Sequence, residues 1–414
     1  VNSNAAHWLL DPSVTFLNHG SFGACPRVVL DAQLEWRNRM EREPVRFFVR
    51  DLEPLLDEVR EVVGRFVGAD AEDLVFVPNA TTAVNAVLGS LELGPSDEIV
   101  RTHHGYNAVN NALTHVANGC GARVVPVNVP FPVSGPAEVM DAVLGAVTTR
   151  TKLLVIDHIT SPTALVLPIE ALISELARRG IDTLVDGAHG PGQIPLDLRA
   201  LGAAYYTGNF HKWCCAPKGA AMLYVRRDRQ AQIRPAIISH GANSPRADRS
   251  RYRLEFDWTG TTDPTAILSV PAALRFMSGL LPGGFAEVMA RNHALAVAAR
   301  SVLATALETE PPCPESMLGA MASLCLPDAR RVDANASSLY ADALQTTLVE
   351  RFRVQVPIVP WPAPPRRLVR VSAQLYNELP QYALLARALR EALDREALEI
   401  DIDMDAESEP PKSS

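Results

Sequence analysis

Between Leu74 and Val225 the sequence alternates short, continuously apolar runs with amphipathic ones, and few folds accommodate that pattern. LVFV, EIVRT, ARVVPVNV, KLLVIDHI, DTLVDGAH and AAMLYV read as strands. TTAVNAVLGSL, NAVNNALTHVANG, AEVMDAVLGAV and IEALISELARRG, which fall between them, read as helices. Strands apolar on both sides and separated by helices signal a mainly parallel sheet sandwiched by helices, the α/β class. A chain of 414 residues exceeds one small core and suggests two domains. The reading places an N-terminal arm at 1–25, a large α/β domain at 26–265 and a small α+β domain at 266–398. The small domain is expected to hold a long helix from Phe285 to Leu307 and a strand at Met321–Leu326. A helix near Leu339–Arg351, strands at Val354–Val359 and Leu368–Ala373, and a last helix follow. The acidic, Pro- and Ser-rich end, 399–414, is expected to be disordered.

Hydrophobic content of 47% and charged content of 21% are those of an ordinary globular protein. A net charge of −8 and the lack of a long basic run argue against a nucleic-acid partner. With no amino-terminal signal segment and no apolar run long enough to span a bilayer, no membrane association is expected. The six cysteines form no CxxC pair and no disulfide-like spacing, so reduced thiols in the cytoplasm is the economical expectation.

The chemistry gathers between Thr183 and Trp213. There a strand ends in Asp186 and His189, and the next is followed by a turn carrying Asn209, His211 and Lys212. Ligands of open α/β sheets bind beyond the carboxyl ends of the strands, where such an acid and lysine face each other. Pyridoxal phosphate needs that pair: a lysine to hold it and a carboxylate to keep its ring nitrogen protonated. Taken singly, Lys212 could be a surface residue and Asp186 a helix cap. Asn79-Ala80-Thr81-Thr82 marks a strand-to-helix junction suited to a phosphate, or simply an N-cap. His103, His104 and Tyr106 follow another strand and could supply a ring that stacks on the cofactor. Adjacent histidines rarely ligate one metal, so no metal is expected. Asp157, His158, Ser161 and His189 are candidates for the cofactor's phenolic oxygen, or satisfied polar groups at a sheet edge. Arg370, inside an apolar strand, is costly unless paired, either with a substrate carboxylate or in an internal salt bridge. Arg249 and Arg251 belong to a basic segment that could line an entrance or be a solvated loop.

NATTAVN, VDGAH, TGNFHKW, WTGTTD and VRVSAQLYN, in this order, resemble the class V aminotransferase superfamily of fold-type I pyridoxal phosphate enzymes. LNHGSFG and SPTALVLPI are most similar to its isopenicillin N epimerase branch, which also holds carbon–sulfur lyases. The resemblance implies a homodimer with active sites at the subunit interface. It assigns Lys212 to the cofactor imine, Asp186 to the ring nitrogen and His189 to the phenolic oxygen. Thr81, Thr82, Asn209 and His211 would hold the phosphate, with Thr261 supplied by the partner chain. Tyr106 is the first choice for the stacking ring and His104 the second; Asn18 and Arg370 would bind the substrate carboxylate. One departure matters: the loop VQVPIVPWPAPPRRL lacks the nucleophilic cysteine that desulfurases carry shortly before the arginine strand. Persulfide chemistry is therefore disfavoured, although Cys313 and Cys325 stay open by sequence.

The expected activity is chemistry at Cα of an amino acid through a quinonoid intermediate. β-Elimination from an S-substituted cysteine is favoured because it needs only one base. Epimerisation needs a second acid, for which Tyr106 or the His103–His104 pair is the candidate. Transamination and a noncatalytic cofactor sensor are further alternatives, and no GxGxxG supports a nicotinamide enzyme.

Overall fold

The computed structural model describes residues 3–330 and 342–408. The apolar runs form a seven-stranded sheet of β1 (Leu74–Val77), β2 (Glu98–Thr102), β3 (Arg123–Val127), β4 (Thr151–Asp157), β5 (Asp182–Asp186), β6 (Tyr205–Asn209) and β7 (Ala221–Val225). Their spatial order is β1-β7-β6-β5-β4-β2-β3. The five strands β2 to β6 are mutually parallel, whereas β7 runs antiparallel to both of its neighbours. That reversal positions the site: the chain leaves β6 at its carboxyl end and returns along β7 without a crossover. The connection carrying Lys212 therefore stays at the carboxyl edge of the sheet. Pro126 lies in β3, at the sheet edge, where a missing N–H is tolerated.

The helices before and between these strands are α1 (Arg27–Arg42), α2 (Leu52–Val67), α3 (Ala80–Ser90), α4 (Asn107–Cys120), α5 (Pro136–Gly145) and α6 (Ile169–Arg178). Alternate strand residues feed two separate apolar clusters, as the two-residue period requires. Val75, Ile99, Leu153 and Leu184 pack with α3 and α4 on one face. Phe76, Val100, Leu154 and Val185 pack with α2, α5 and α6 on the other.

The main later elements are α7 (Val270–Gly279), α8 (Gly284–Leu307), β8 (Met321–Leu326), α9 (Ala343–Phe352), β9 (Ile358–Pro360), β10 (Arg367–Ser372) and α10 (Leu379–Ser408). β8, β9 and β10 form an antiparallel sheet in the order β9-β10-β8, with α8 packed against it and against α10. α7 packs on α1 and α2 as well as on α8, so the expected boundary at 265 falls within a continuous run of packed helices. No single described helix is long and apolar enough to cross a membrane.

Two expectations need correcting. The single strand expected at Val354–Val359 is split by Pro357: Ile358–Pro360 joins β10, while Val354–Gln355 pairs in parallel with Thr15–Phe16 of the N-terminal arm. The end expected to be disordered from 399 is helical as far as Ser408, because the run ALEIDIDMDAE contains no proline or glycine to stop α10. Residues 409–414, and the start of the helix expected near Leu339, lie outside the described residues.

Beneath the sheet, Arg60 is buried to 1% exposure. It donates to Asp57 at 2.6 Å and to the Leu74 carbonyl at 3.1 Å, and it pairs with Asp257. Removing one partner of a buried ion cluster leaves an uncompensated charge. Arg60→Ala is expected to lower stability by about 3–5 kcal/mol in urea titration, with an unchanged dependence on denaturant.

Candidate active site

A cavity of about 390 Å³ opens at the carboxyl edge of the parallel strands, within the range of small-molecule sites. β4 contributes Asp157, β5 Asp186 and β6 Asn209, and the β6–β7 connection contributes His211, Lys212 and Lys218. Asp157 and Asp186 are register partners on adjacent strands. Gly187 lets the chain turn directly over Tyr206, since a Cβ there would lie 2.1 Å from the ring.

Lys212 is partly buried at the base of the cavity, and its amine is pushed down to about 7. Burial is the main cause; Asp186 and Asp157 oppose it and Arg370 adds to it. Lys212 Nζ lies 3.0 Å from His189 Nε2. The Trp213 indole N–H donates to His189 Nδ1 at 3.3 Å, so in neutral His189 the ring hydrogen sits on Nε2. That hydrogen points at the lysine and requires an amine lone pair to receive it. Burial, then the charges on Lys212 and Arg370, hold His189 well below its usual range, which keeps the imidazole neutral. The Ala188 N–H donates to Asp186 Oδ1 at 3.0 Å.

Behind the lysine lies the N-terminal arm. His19 donates from Nε2 to the Lys212 carbonyl at 2.9 Å and accepts from the Tyr376 hydroxyl at 2.7 Å. Gly23, at φ +68, fits so closely that a Cβ would lie 2.0 Å from the His211 carbonyl oxygen. Lys218 donates to the Gly23 carbonyl at 3.1 Å. Neither His19 nor Lys218 stands out in the sequence, because each is defined by partners 193 to 357 residues away.

Most expected site residues meet here. Thr81, Tyr106, Ser161, Asp186, His189, Asn209, His211 and Lys212 all line the cavity. Thr81 sits in the first turn of α3, and Asn209 Oδ1 accepts the Ala80 N–H at 3.0 Å, tying β6 to that helix start. Thr82 does not line the cavity; its N–H and hydroxyl both donate to Asn79 Oδ1, so here the N-cap reading holds. His104 is also misplaced. It is fully buried, with one ring nitrogen 2.7 Å from the Thr163 hydroxyl and the other 3.0 Å from the Val129 carbonyl. Its ring packs against Trp361, and Tyr106 alone of the three candidates reaches the cavity. His158 is likewise turned away, 3.0 Å from the Tyr206 hydroxyl.

Arg370 stands just behind the cavity wall. It donates to the Ser161 carbonyl at 2.6 Å, the Ser161 hydroxyl at 3.0 Å, the Ser21 hydroxyl at 2.9 Å and Asn18 Oδ1 at 3.4 Å. Asn18 approaches through these contacts rather than lining the cavity itself. Thr261 is exposed and away from this chain's cavity. Arg249 and Arg251 are held by Asp57 and Glu255 and do not form its entrance. A second cavity of about 430 Å³ lies between His103, Trp361 and Arg366, with no lysine in its wall.

The donor set fits pyridoxal phosphate: an amine with an available lone pair, an acid held by a backbone N–H, and a helix start beside a histidine and a lysine. A lysine depressed in the folded state binds fewer protons than its unfolded counterpart above pH 7, so stability from this group rises with pH there. Between pH 7 and 9 the cofactor-free protein is expected to gain roughly 2 kcal/mol from it. Lys212→Met should remove that rise in chemical denaturation run across the same range.

The aminotransferase class-V family model matches residues 18–329. Isopenicillin N epimerase of Amycolatopsis lactamdurans is 37% identical, covering 92% of this chain and 96% of its own length. A protein of Arabidopsis thaliana named "Probable L-cysteine desulfhydrase, chloroplastic" is 33% identical, covering 92% of this chain and 83% of its own length. Among solved structures, the cysteine desulfurase CsdA of Escherichia coli superposes with a TM-score of 0.75 at 20% identity, covering 94% of this chain and 98% of its own. The cystine C–S lyase C-DES superposes with a TM-score of 0.71 at 21% identity, covering 91% and 97%. The chain belongs to the class V aminotransferases, a family of pyridoxal phosphate-dependent enzymes.

Proposed function

We propose that this enzyme is a carbon–sulfur β-lyase acting on an S-substituted cysteine. The observation that carries the reading is one desolvated lysine base, Lys212, in a cavity whose described lining contains no thiol. Cys325 lies in the wall of the second cavity, and Cys313 is tied to Arg300. Burial also holds both thiols above their usual range. A persulfide route needs a thiolate at the substrate sulfur, whereas elimination needs only the base.

In this reading Lys212 holds the cofactor, Asp186 pairs with its ring nitrogen and His189 meets its phenolic oxygen. Thr81, Asn209 and His211, with Lys218 beside them, hold the phosphate at the start of α3. Bound there, the cofactor supplies a sink for the electron pair of the Cα–H bond. Lys212 Nζ, its pKa lowered to about 7, takes the Cα proton. The Cβ–S bond then breaks with its electron pair on sulfur, which leaves as a thiol once protonated. With one water, the three-carbon remainder becomes pyruvate and ammonia. Arg370 orients the substrate carboxylate, exchanging its hold on the Ser21 and Ser161 hydroxyls for a bidentate one.

The 37% identity to an isopenicillin N epimerase supports a second reading, epimerisation, with Tyr106 returning a proton from the face opposite Lys212. The protein is further proposed to be a homodimer in which exposed Thr261 completes the partner's phosphate site. Its six unbridged thiols support a cytoplasmic location.

The deciding experiment supplies a panel of S-substituted cysteines to the purified holoenzyme and assays pyruvate and thiol together. Both are expected from wild type, and Lys212→Ala should lose both along with the visible absorption of the lysine-bound cofactor. Deuterium entering Cα from solvent without pyruvate would establish the epimerase instead. Arg370→Lys, which loses the planar fork, is expected to raise KM roughly tenfold or more while changing kcat less.

A further inference from the structure

The proposed mechanism leaves one buried group of the cavity unused. Asp157 ends β4 as Asp186 ends β5, and the two are register partners on parallel strands about 4.8 Å apart. Both are nearly inaccessible, at 6% and 5% exposure, and both line the cavity with Lys212. Two carboxylates so placed, away from water, cannot both ionise without a large cost. Asp186 has the better claim to the charge, since Ala188 donates to its Oδ1. Asp157 is held well above the usual carboxylate range, by burial first and by the charge on Asp186 second. Its own backbone N–H, Lys212 and the Tyr106 N–H pull the other way and are outweighed. Asn110 Oδ1, buried without a hydrogen bond, and Asp157 Oδ2 both approach the Cβ direction of Gly105.

We propose that Asp157 works as a neutral carboxylic acid beside Asp186, the pair sharing one negative charge, so that the cofactor's ring nitrogen faces a single carboxylate. Asp157 is then a positioning residue: its hydroxyl donates a hydrogen bond into the cavity wall and keeps the anion localised on Asp186. The groups that face it set this division of charge. They are Asp186 from β5, Lys212 from the β6–β7 connection and the Tyr106 backbone from the start of α4. The inference rests on the assignment of Asp186 to the ring nitrogen.

The test compares Asp157→Asn, which keeps a neutral hydrogen-bonding group of the same size, with Asp157→Ala. Asp186→Asn serves as the control for the underlying assignment. Cofactor affinity is measured by titrating pyridoxal phosphate into each cofactor-free variant, and thermal melts confirm that each variant folds. Infrared difference spectra at neutral pH report protonated carboxyl groups. Asp157→Asn is expected to bind the cofactor within about threefold of wild type, and Asp157→Ala about tenfold or more weakly. The protonated-carboxyl band of wild type should vanish in Asp157→Asn. Equal weakening in Asn and Ala variants would show that an anion is needed at 157 and overturn the proposal. So would two variants that bind like wild type, or a carboxyl band that survives in Asp157→Asn. If Asp186→Asn leaves the cofactor's affinity and absorption unchanged, the assignment of Asp186 fails, and the proposal with it.

Discussion

A lysine amine largely shielded from water is poorly tolerated as a cation, and the structure around Lys212 is arranged about that fact. Desolvation brings its pKa down to about 7, and the nearby acids stop it from falling further. A histidine fixed by the Trp213 indole offers it a hydrogen rather than a lone pair. The amine is thereby available as a base near neutral pH without a dedicated partner to deprotonate it. The carboxylates obey the same constraint, since Asp157 and Asp186, adjacent and shielded from water, cannot both carry a charge without a large cost.

Holding these groups together is a matter of topology. The parallel strands deliver Asp157, Asp186 and Asn209 to one sheet edge, and the antiparallel return of β7 keeps the Lys212 connection there. The N-terminal arm then closes the back of the site. It pairs with Val354–Gln355, holds the Lys212 carbonyl through His19 and meets Arg370 through Asn18 and Ser21. The same short segment thus touches the lysine turn and the arginine strand, which come from the two parts of the chain. Small shifts of the arm would be felt at both Lys212 and Arg370.

The division between what was legible and what was not follows from how local each interaction is. Continuous apolar runs separated by amphipathic ones have one economical solution, so the parallel sheet and its order-setting helices could be read in advance. A strand-end acid and a lysine in the next strand's turn are placed at the carboxyl edge by that architecture alone, which made Asp186 and Lys212 readable too. His104 and Thr82 could not be sorted from Tyr106 and Thr81 in the same way. Neighbours one or two positions apart in a turn differ only in which way the backbone points them. Here Thr163 and Val129 claim His104, and Asn79 claims Thr82.

The sequence by itself determined the fold class and the placing of an acid and a lysine at one edge of the sheet, because each depends on short-range pattern. Only the tertiary structure decided the protonation state of the site and the role of the arm. A pKa is set by burial and by charges brought together from β4, β5, the lysine turn and β10, none of which are neighbours along the chain. His19 and Lys218 depend in the same way on carbonyl groups that folding alone puts within reach.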